Sequence, residues 1–219
     1  DPDYFFYCAN ETVHGLELHN PIESDSPVIC DMSSTIASRP IDINKYDLVF
    51  AGAQKNLGIA GLTILIIKNK LLSDCNKELL PMFDYSAHAE EASMLNTSPV
   101  FSWYVSGLIF DWITEQGGIG MMGKVNMEKS SLLYNYIDES SFYSNPVSKP
   151  YRSWMNIPFI LARDDLENDF IQSAEDEGLF NLKGHRTVGG MRASVYNAMP
   201  IEGIKKLIAF MDDFAKLHE

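Results

Sequence analysis

Four short apolar runs mark the first third of the chain, at residues 4–8, 28–31, 48–51 and 62–67. They are rich in Val, Ile, Phe and Tyr, and the only charge in them is Asp31, which closes the second run. That pattern predicts strands buried on both faces rather than the alternating strands of a half-exposed sheet. Gly, Asn, Pro and Ser punctuate the intervals, at residues 9–15, 19–27 and 33–46, which predicts loops and tight turns. Strands joined in this way suggest the interior of an α/β sheet. The first run needs sheet neighbours on both sides, so the chain is expected to begin within something larger.

Helical periods follow. Residues 71–80 read as a helix or turn stopped by Pro81, and residues 84–97 as a long polar loop, a kind that tends to be functional. Ser98 and Pro99 predict an N-cap and first turn for a helix over 100–116. That helix is apolar nearly all round and is therefore expected to be buried. Gly117 and Gly118 end it and lead into a second helix over 121–138.

From about residue 125 the pattern changes. Strands are expected at 145–147, 154–161, 180–182 and 193–196, with Pro158 restricting its strand to an edge or bulge. Asp164 with Glu167 predicts a capping box for a helix that carries Leu166, Phe170 and Ala174 on one face and stops at Gly178. A last helix opens at Pro200, with Ile201, Ile204, Leu207, Ile208, Met211 and Phe214 in one stripe. The expected organisation is a mostly parallel α/β part over 1–124 and a small α+β unit over 125–219.

Composition narrows the partners. The 219 residues are 46% hydrophobic, enough for a substantial core, and 17 basic against 30 acidic residues give a formal charge of −13. This balance argues against nucleic acid and against an anionic membrane surface as partners. Three cysteines, Cys8, Cys30 and Cys75, suit a reducing compartment better than a disulfide framework, and no apolar run is long enough to span a membrane. A cytoplasmic protein is expected.

Two stretches carry candidate chemistry. Lys55 lies in a turn punctuated by Gly52 and Gly58 between two buried strands, a setting in which a desolvated amine serves as a Schiff-base nucleophile. A solvated loop lysine fits the same pattern. Asp31 ends a neighbouring strand, where open α/β sheets place their ligands, although an aspartate there also caps its own turn. Further on, His185, Arg186 and Arg192 lie among Gly184, Gly189 and Gly190, a cationic stretch in an acidic chain. Arginine suits planar recognition of a carboxylate, and Arg192 enters an apolar run where an unpaired guanidinium is costly. No metal-ligand pattern is present.

Taken together, Asp31 to Thr35, Ser38 to Pro40, Ala51 to Asn56 and Gly184 to Ser194 resemble the phosphoserine aminotransferase family in order and spacing. The resemblance runs from about residue 4 to the end. It implies a fold type I enzyme dependent on pyridoxal 5'-phosphate, with this chain the C-terminal half of the large domain plus the whole small domain. It implies that Lys55 bonds the cofactor and moves a proton, and that Asp31 pairs with the pyridine nitrogen. Thr12 and Gln54 would be further cofactor contacts, and Asn96 and Thr97 would reach across a homodimer to the partner's cofactor phosphate. Arg192 would clamp the substrate α-carboxylate, and His185 and Arg186 would receive its phosphate or distal carboxylate. The reaction implied is amino transfer between glutamate and 3-phosphohydroxypyruvate, giving 2-oxoglutarate and 3-phosphoserine.

The family also has an N-terminal part, with a Gly-Arg turn for the cofactor phosphate, a ring-stacking aromatic and a His-Arg pair, that does not occur in this sequence. The chain is therefore expected to be a fragment. Two other readings stay open: a non-catalytic fragment or binding module, and a transaminase of different specificity.

Overall fold

The computed structural model describes residues 2–73 and 79–218. Four strands form the first sheet, β1 (Phe5–Cys8), β4 (Val28–Asp31), β5 (Leu48–Gly52) and β6 (Thr63–Ile67), in the order β1-β4-β5-β6. β1, β4 and β5 run parallel and β6 antiparallel, so the sheet is mostly parallel. Two short strands, β2 (Asn10–Glu11) and β3 (Leu16–Glu17), make a hairpin beyond the end of β1.

Four helices come next in the chain: α1 (Asn69–Ser73), α2 (Tyr85–Glu90), α3 (Val100–Glu115) and α4 (Gly118–Glu139). The last part combines β7 (Tyr143–Ser144), β8 (Asn156–Leu161), α5 (Glu167–Asp176), β9 (Met191–Ser194) and α6 (Ile201–His218). Its three strands form an antiparallel sheet in the order β7-β8-β9.

Three apolar clusters hold these parts. The largest packs Leu133, Ile137, Phe159, Phe170 and Met211 between α4, α5, α6 and the second sheet. Tyr7, Val28, Cys30 and Val49 build the second along the first sheet. Ala53, Leu57, Ile113 and Met122 form the third, which seats the turn after β5 against α3 and α4. Residues 124 and 125 both lie inside α4, which runs unbroken across that point.

The burial of the first sheet differs from the sequence expectation. β1 and β6 are its outer strands among the described residues, and Tyr4, Phe6 and Ile66 are exposed. Helix α3 departs further, because over its first half its burial is inverted. Ser102 and Ser106 face the protein, while Phe101 is 68% and Tyr104 63% exposed. The small face permits close approach: the Ser102 hydroxyl donates to the Ala60 carbonyl at 3.0 Å, and a Cβ on Gly58 would lie 2.9 Å from Ser106 Oγ.

Smaller departures have local causes. Residues 85–90 of the expected loop are helical, because Asp84 caps them by accepting from the Ser86 amide at 2.9 Å. The cap of α3 is Pro99, without a side-chain bond, rather than Ser98. No capping box forms at Asp164, since residues 164–166 make a 3₁₀ turn and Asp165 pairs with Arg163. The expected strand at 145–147 lies at Tyr143–Ser144 instead, because the Asn145 side chain turns inward to donate to the Pro158 carbonyl. Residues 180–182 form no strand, and the one placed at 193–196 spans Met191–Ser194. Of the residues expected to be helical at 71–80, 71–73 belong to α1, and 74–78, with Cys75, lie outside the described residues.

Pro158 sits on the central strand of its sheet, not an edge. It pairs with Arg192, whose own amide points away to the Leu182 carbonyl at 2.7 Å. The ring nitrogen therefore faces the β7 side, beyond the two residues where β7 pairs, and no ladder bond is lost.

Candidate active site

Lys55 is half-buried in the turn that follows β5. Backbone bonds from Ala53 N to Leu62 O (2.9 Å) and from Leu57 N to Ala53 O (3.0 Å) close that turn. At its start the Gly52 amide donates to Ser33 Oγ at 3.0 Å, tying the end of β5 to the turn after β4. Burial lowers the pKa of the Lys55 amine, Asp31 opposes the shift, and the Arg192 guanidinium lowers it further. The amine is thus less firmly protonated than an ordinary lysine, as a nucleophile or proton carrier requires.

Asp31 ends β4 between β1 and β5. Its Oδ1 accepts from the Ser33 amide at 2.8 Å, the self-capping contact open to any aspartate in a turn. Its Oδ2 faces the Cys8 thiol at 3.9 Å, from the strand position directly alongside. Burial and the neighbouring carboxylates raise the Cys8 pKa and keep it a thiol.

Thr12 lies in the turn of the β2–β3 hairpin. Glu11 shapes that turn by accepting from the Val13 (3.1 Å) and His14 (2.8 Å) amides. Gly15 completes it with φ 69°, and a Cβ there would lie 2.3 Å from Pro158 Cδ, so the hairpin seats on β8 only with glycine. The Thr12 carbonyl accepts from Arg192 Nη1 at 2.9 Å. Arg192 Nε is buried and has no hydrogen-bond partner. A buried donor beside a desolvated amine is the feature a bound carboxylate would complete.

The remaining residues singled out in the sequence lie less close together. Gln54 is exposed and curls back over Gly52. His185 is bonded to Thr187 Oγ1 at 2.8 Å within its own loop, and Arg186 is exposed. That loop closes through the Gly184 amide and the Gly190 carbonyl at 2.8 Å, and a Cβ on Gly184 would lie 2.1 Å from the Gly189 carbonyl. Asn96 and Thr97 are exposed, and Asn96 borders a groove of about 950 Å³ between β6, α2 and α3 whose lining includes none of Lys55, Asp31 and Arg192. Among the described residues, no group of three or more His, Cys, Asp or Glu side chains is placed to hold a metal ion.

Sequence patterns gave no sign of the buried amides that hold this region. Three consecutive carbonyls after β4 accept from three asparagines: Ile36 from Asn56 (3.1 Å), Ala37 from Asn197 (2.9 Å) and Ser38 from Asn126 (2.8 Å). Asn126 also donates to Asn197 Oδ1 at 2.8 Å, and the Asn197 amide donates to Asn56 Oδ1 at 3.1 Å. This network locks the residue next to Lys55 to α4 and to the segment after β9. An asparagine in sequence reads first as a turn former, which is why these were invisible.

Known proteins place this chain in a family. The aminotransferase class-V family matches residues 1–207. The chain belongs to that family. It is 51% identical over 216 residues to a phosphoserine aminotransferase of Acinetobacter baumannii (strain ACICU), covering 99% of this chain and 60% of that protein. A phosphoserine aminotransferase structure from Bacillus circulans subsp. alkalophilus superposes with a TM-score of 0.95 at 42% identity, over 99% of this chain and 60% of that one. Another, from Trichomonas vaginalis with bound pyridoxal phosphate, gives 0.90 at 38% identity, over 95% and 60%. This class-V chain thus spans about 60% of the length of the curated relatives it matches.

Within the described residues of this class-V aminotransferase chain, no helix is long and apolar enough to cross a membrane.

Proposed function

We propose that this chain carries the lysine half of a pyridoxal-phosphate site and that the protein transfers an amino group between glutamate and 3-phosphohydroxypyruvate. The observation that carries the reading is the meeting of a half-buried amine, a strand-end carboxylate and a buried guanidinium nitrogen without a partner at one end of the first sheet. These residues fit the cofactor: an amine for its aldehyde carbon, a carboxylate for its ring nitrogen and a cation for the substrate. The relatives named above support the same chemistry. The implied fold is type I, with the small α+β unit taken from about residue 125 onward.

Pyridoxal phosphate, when bound, supplies the electron sink that acidifies the substrate Cα–H. Lys55 Nζ, whose pKa is lowered by burial and by Arg192, would carry that proton between the substrate Cα and the cofactor's C4′. Asp31, its orientation fixed by the Ser33 amide, would pair with the ring nitrogen and favour its protonated form. Arg192 would bind the α-carboxylate through the guanidinium N–H groups that Thr12 does not hold. Thr12 and Gln54 would be further cofactor contacts, His185 and Arg186 would receive the substrate's phosphate or distal carboxylate, and Asn96 and Thr97 would serve a second subunit's site in a homodimer.

The test is amino transfer from glutamate to 3-phosphohydroxypyruvate by the protein with cofactor added. Loss of activity in Lys55→Ala is expected, and unchanged turnover in that variant would contradict the reading. Replacing His185 or Arg186 by Ala is expected to weaken phosphorylated substrates far more than plain amino acids, and equal losses would favour a transaminase of different specificity.

A further inference from the structure

Asn10 occupies the junction between the two halves of the proposed site. Its side chain is nearly inaccessible, at 4% exposure. Its Nδ2 donates to Ser34 Oγ at 2.9 Å and to Asn156 Oδ1 at 2.9 Å. Ser34 Oγ donates back to the Asn10 carbonyl at 2.8 Å, closing a ring with the turn that follows Asp31. On the other side, Asn156 is 1% exposed, pairs with Ser194 across β8 and β9, and donates to the Tyr196 hydroxyl at 3.1 Å. Asn10 also precedes by two residues Thr12, whose carbonyl holds Arg192. One amide group therefore joins the strand end bearing Asp31 to the strand pair bearing Arg192.

We infer that Asn10 is a positioning residue that sets the spacing between Asp31 with Lys55 on one side and Thr12 with Arg192 on the other. The inference rests on the proposed function for its catalytic meaning, but not for its geometry.

Stability alone does not account for this residue. Asn10 Oδ1 is buried without a hydrogen-bond partner, a loss that an apolar side chain would avoid. A junction selected only for cohesion would be apolar. What the amide adds is direction: two donors at a fixed angle, each aimed at a different half. Misplacement by about 1 Å in such a support costs up to about 100-fold in catalysis.

The test needs a readout that does not depend on turnover. Burial lowers the pKa of the Lys55 amine most; Asp31, Cys8 and Glu11 raise it, and Arg192 lowers it further. Loosening the Arg192 side therefore moves the pH profile of Lys55 labelling, read by mass spectrometry after reductive methylation of the protein without cofactor, upward. In Asn10→Ala the profile is expected to rise, and in the cofactor-loaded protein the apparent glutamate affinity is expected to fall about tenfold or more. Covalent uptake of pyridoxal phosphate should remain.

An unmoved or lowered Lys55 profile in a folded Asn10→Ala protein overturns the inference, even if its melting temperature drops. Should Asn10→Ala fail to fold, Ser34→Ala, which removes only the bridge to the Asp31 turn, is read by the same profile and decides in the same way. Failure of the wild-type protein to take up pyridoxal phosphate would sink the proposed function, while the Lys55 profile would still decide the role of Asn10.

Discussion

Arg192 Nη1 donates to the Thr12 carbonyl at 2.9 Å, joining β9 to the β2–β3 hairpin across 180 residues of sequence. With one Nη1 N–H committed to the backbone, the buried Nε and the Nη2 group remain to meet a ligand. Arg192→Ala is expected to weaken carboxylate binding about 10- to 100-fold, the worth of about 1.5–3 kcal/mol for hydrogen bonds to a charged group. Burial would still depress the Lys55 amine in that variant, but without the guanidinium its pKa should rise. A glutamate titration and the pH profile of Lys55 modification check both statements.

A buried ion pair supports the same hairpin. Glu17 has no exposed surface and accepts from Arg39 Nη2 and the Trp154 amide, each at 2.8 Å. Glu17→Ala leaves a guanidinium and an amide unmet, so a loss of about 3–5 kcal/mol is expected in urea unfolding. A loss under 1 kcal/mol would show that the pair is dispensable.

Lys129 gives stability a pH dependence. It is fully buried in α4, and its ammonium donates to the Val195, Tyr196 and Met199 carbonyls. Burial pushes its pKa down to about 8. Below that pH both the folded and unfolded chains hold the proton, and folding carries the whole penalty. Between about 8 and the ordinary lysine value, only the unfolded chain holds it. This group's contribution to stability therefore rises with pH across that window, by about 3 kcal/mol in total. The rise should be absent in Lys129→Met, and denaturant titrations of both proteins from pH 7 to about pH 10.5 would show it.

Helix α3 predicts an inverted mutational response. Phe101 is solvated, so Phe101→Ser should change stability by no more than about 0.5 kcal/mol. Ser106 Oγ is buried without a partner, so Ser106→Ala should stabilise by up to about 1 kcal/mol. Thermal melts of the two variants suffice, and a large loss in Phe101→Ser would place that face in contact.

This helix also shows where sequence reading stops. Its apolar composition was legible, but burial depends on what covers a face, and the described residues cover Ile113 while leaving Phe101, Trp103, Tyr104, Leu108 and Phe110 exposed. Similarly, the hydrophobic runs located all four strands of the first sheet but not that β1 and β6 are its outer ones. Lys55, Asp31 and Arg192 stood out because charge in or beside an apolar run is costly and therefore conspicuous. Asn10, Asn56, Asn126 and Asn197 did not, since amides carry no charge and their partners lie up to 160 residues away. Pro158 misled because a proline's cost depends on which side of the strand its nitrogen faces.

The central claim is that Lys55 is the residue that bonds the cofactor. Its most direct test is to add pyridoxal phosphate, reduce with borohydride and map the modified peptide by mass spectrometry. The account predicts one reduced adduct, at Lys55, lost in Lys55→Ala. An adduct spread over exposed lysines, or retained in that variant, would contradict it.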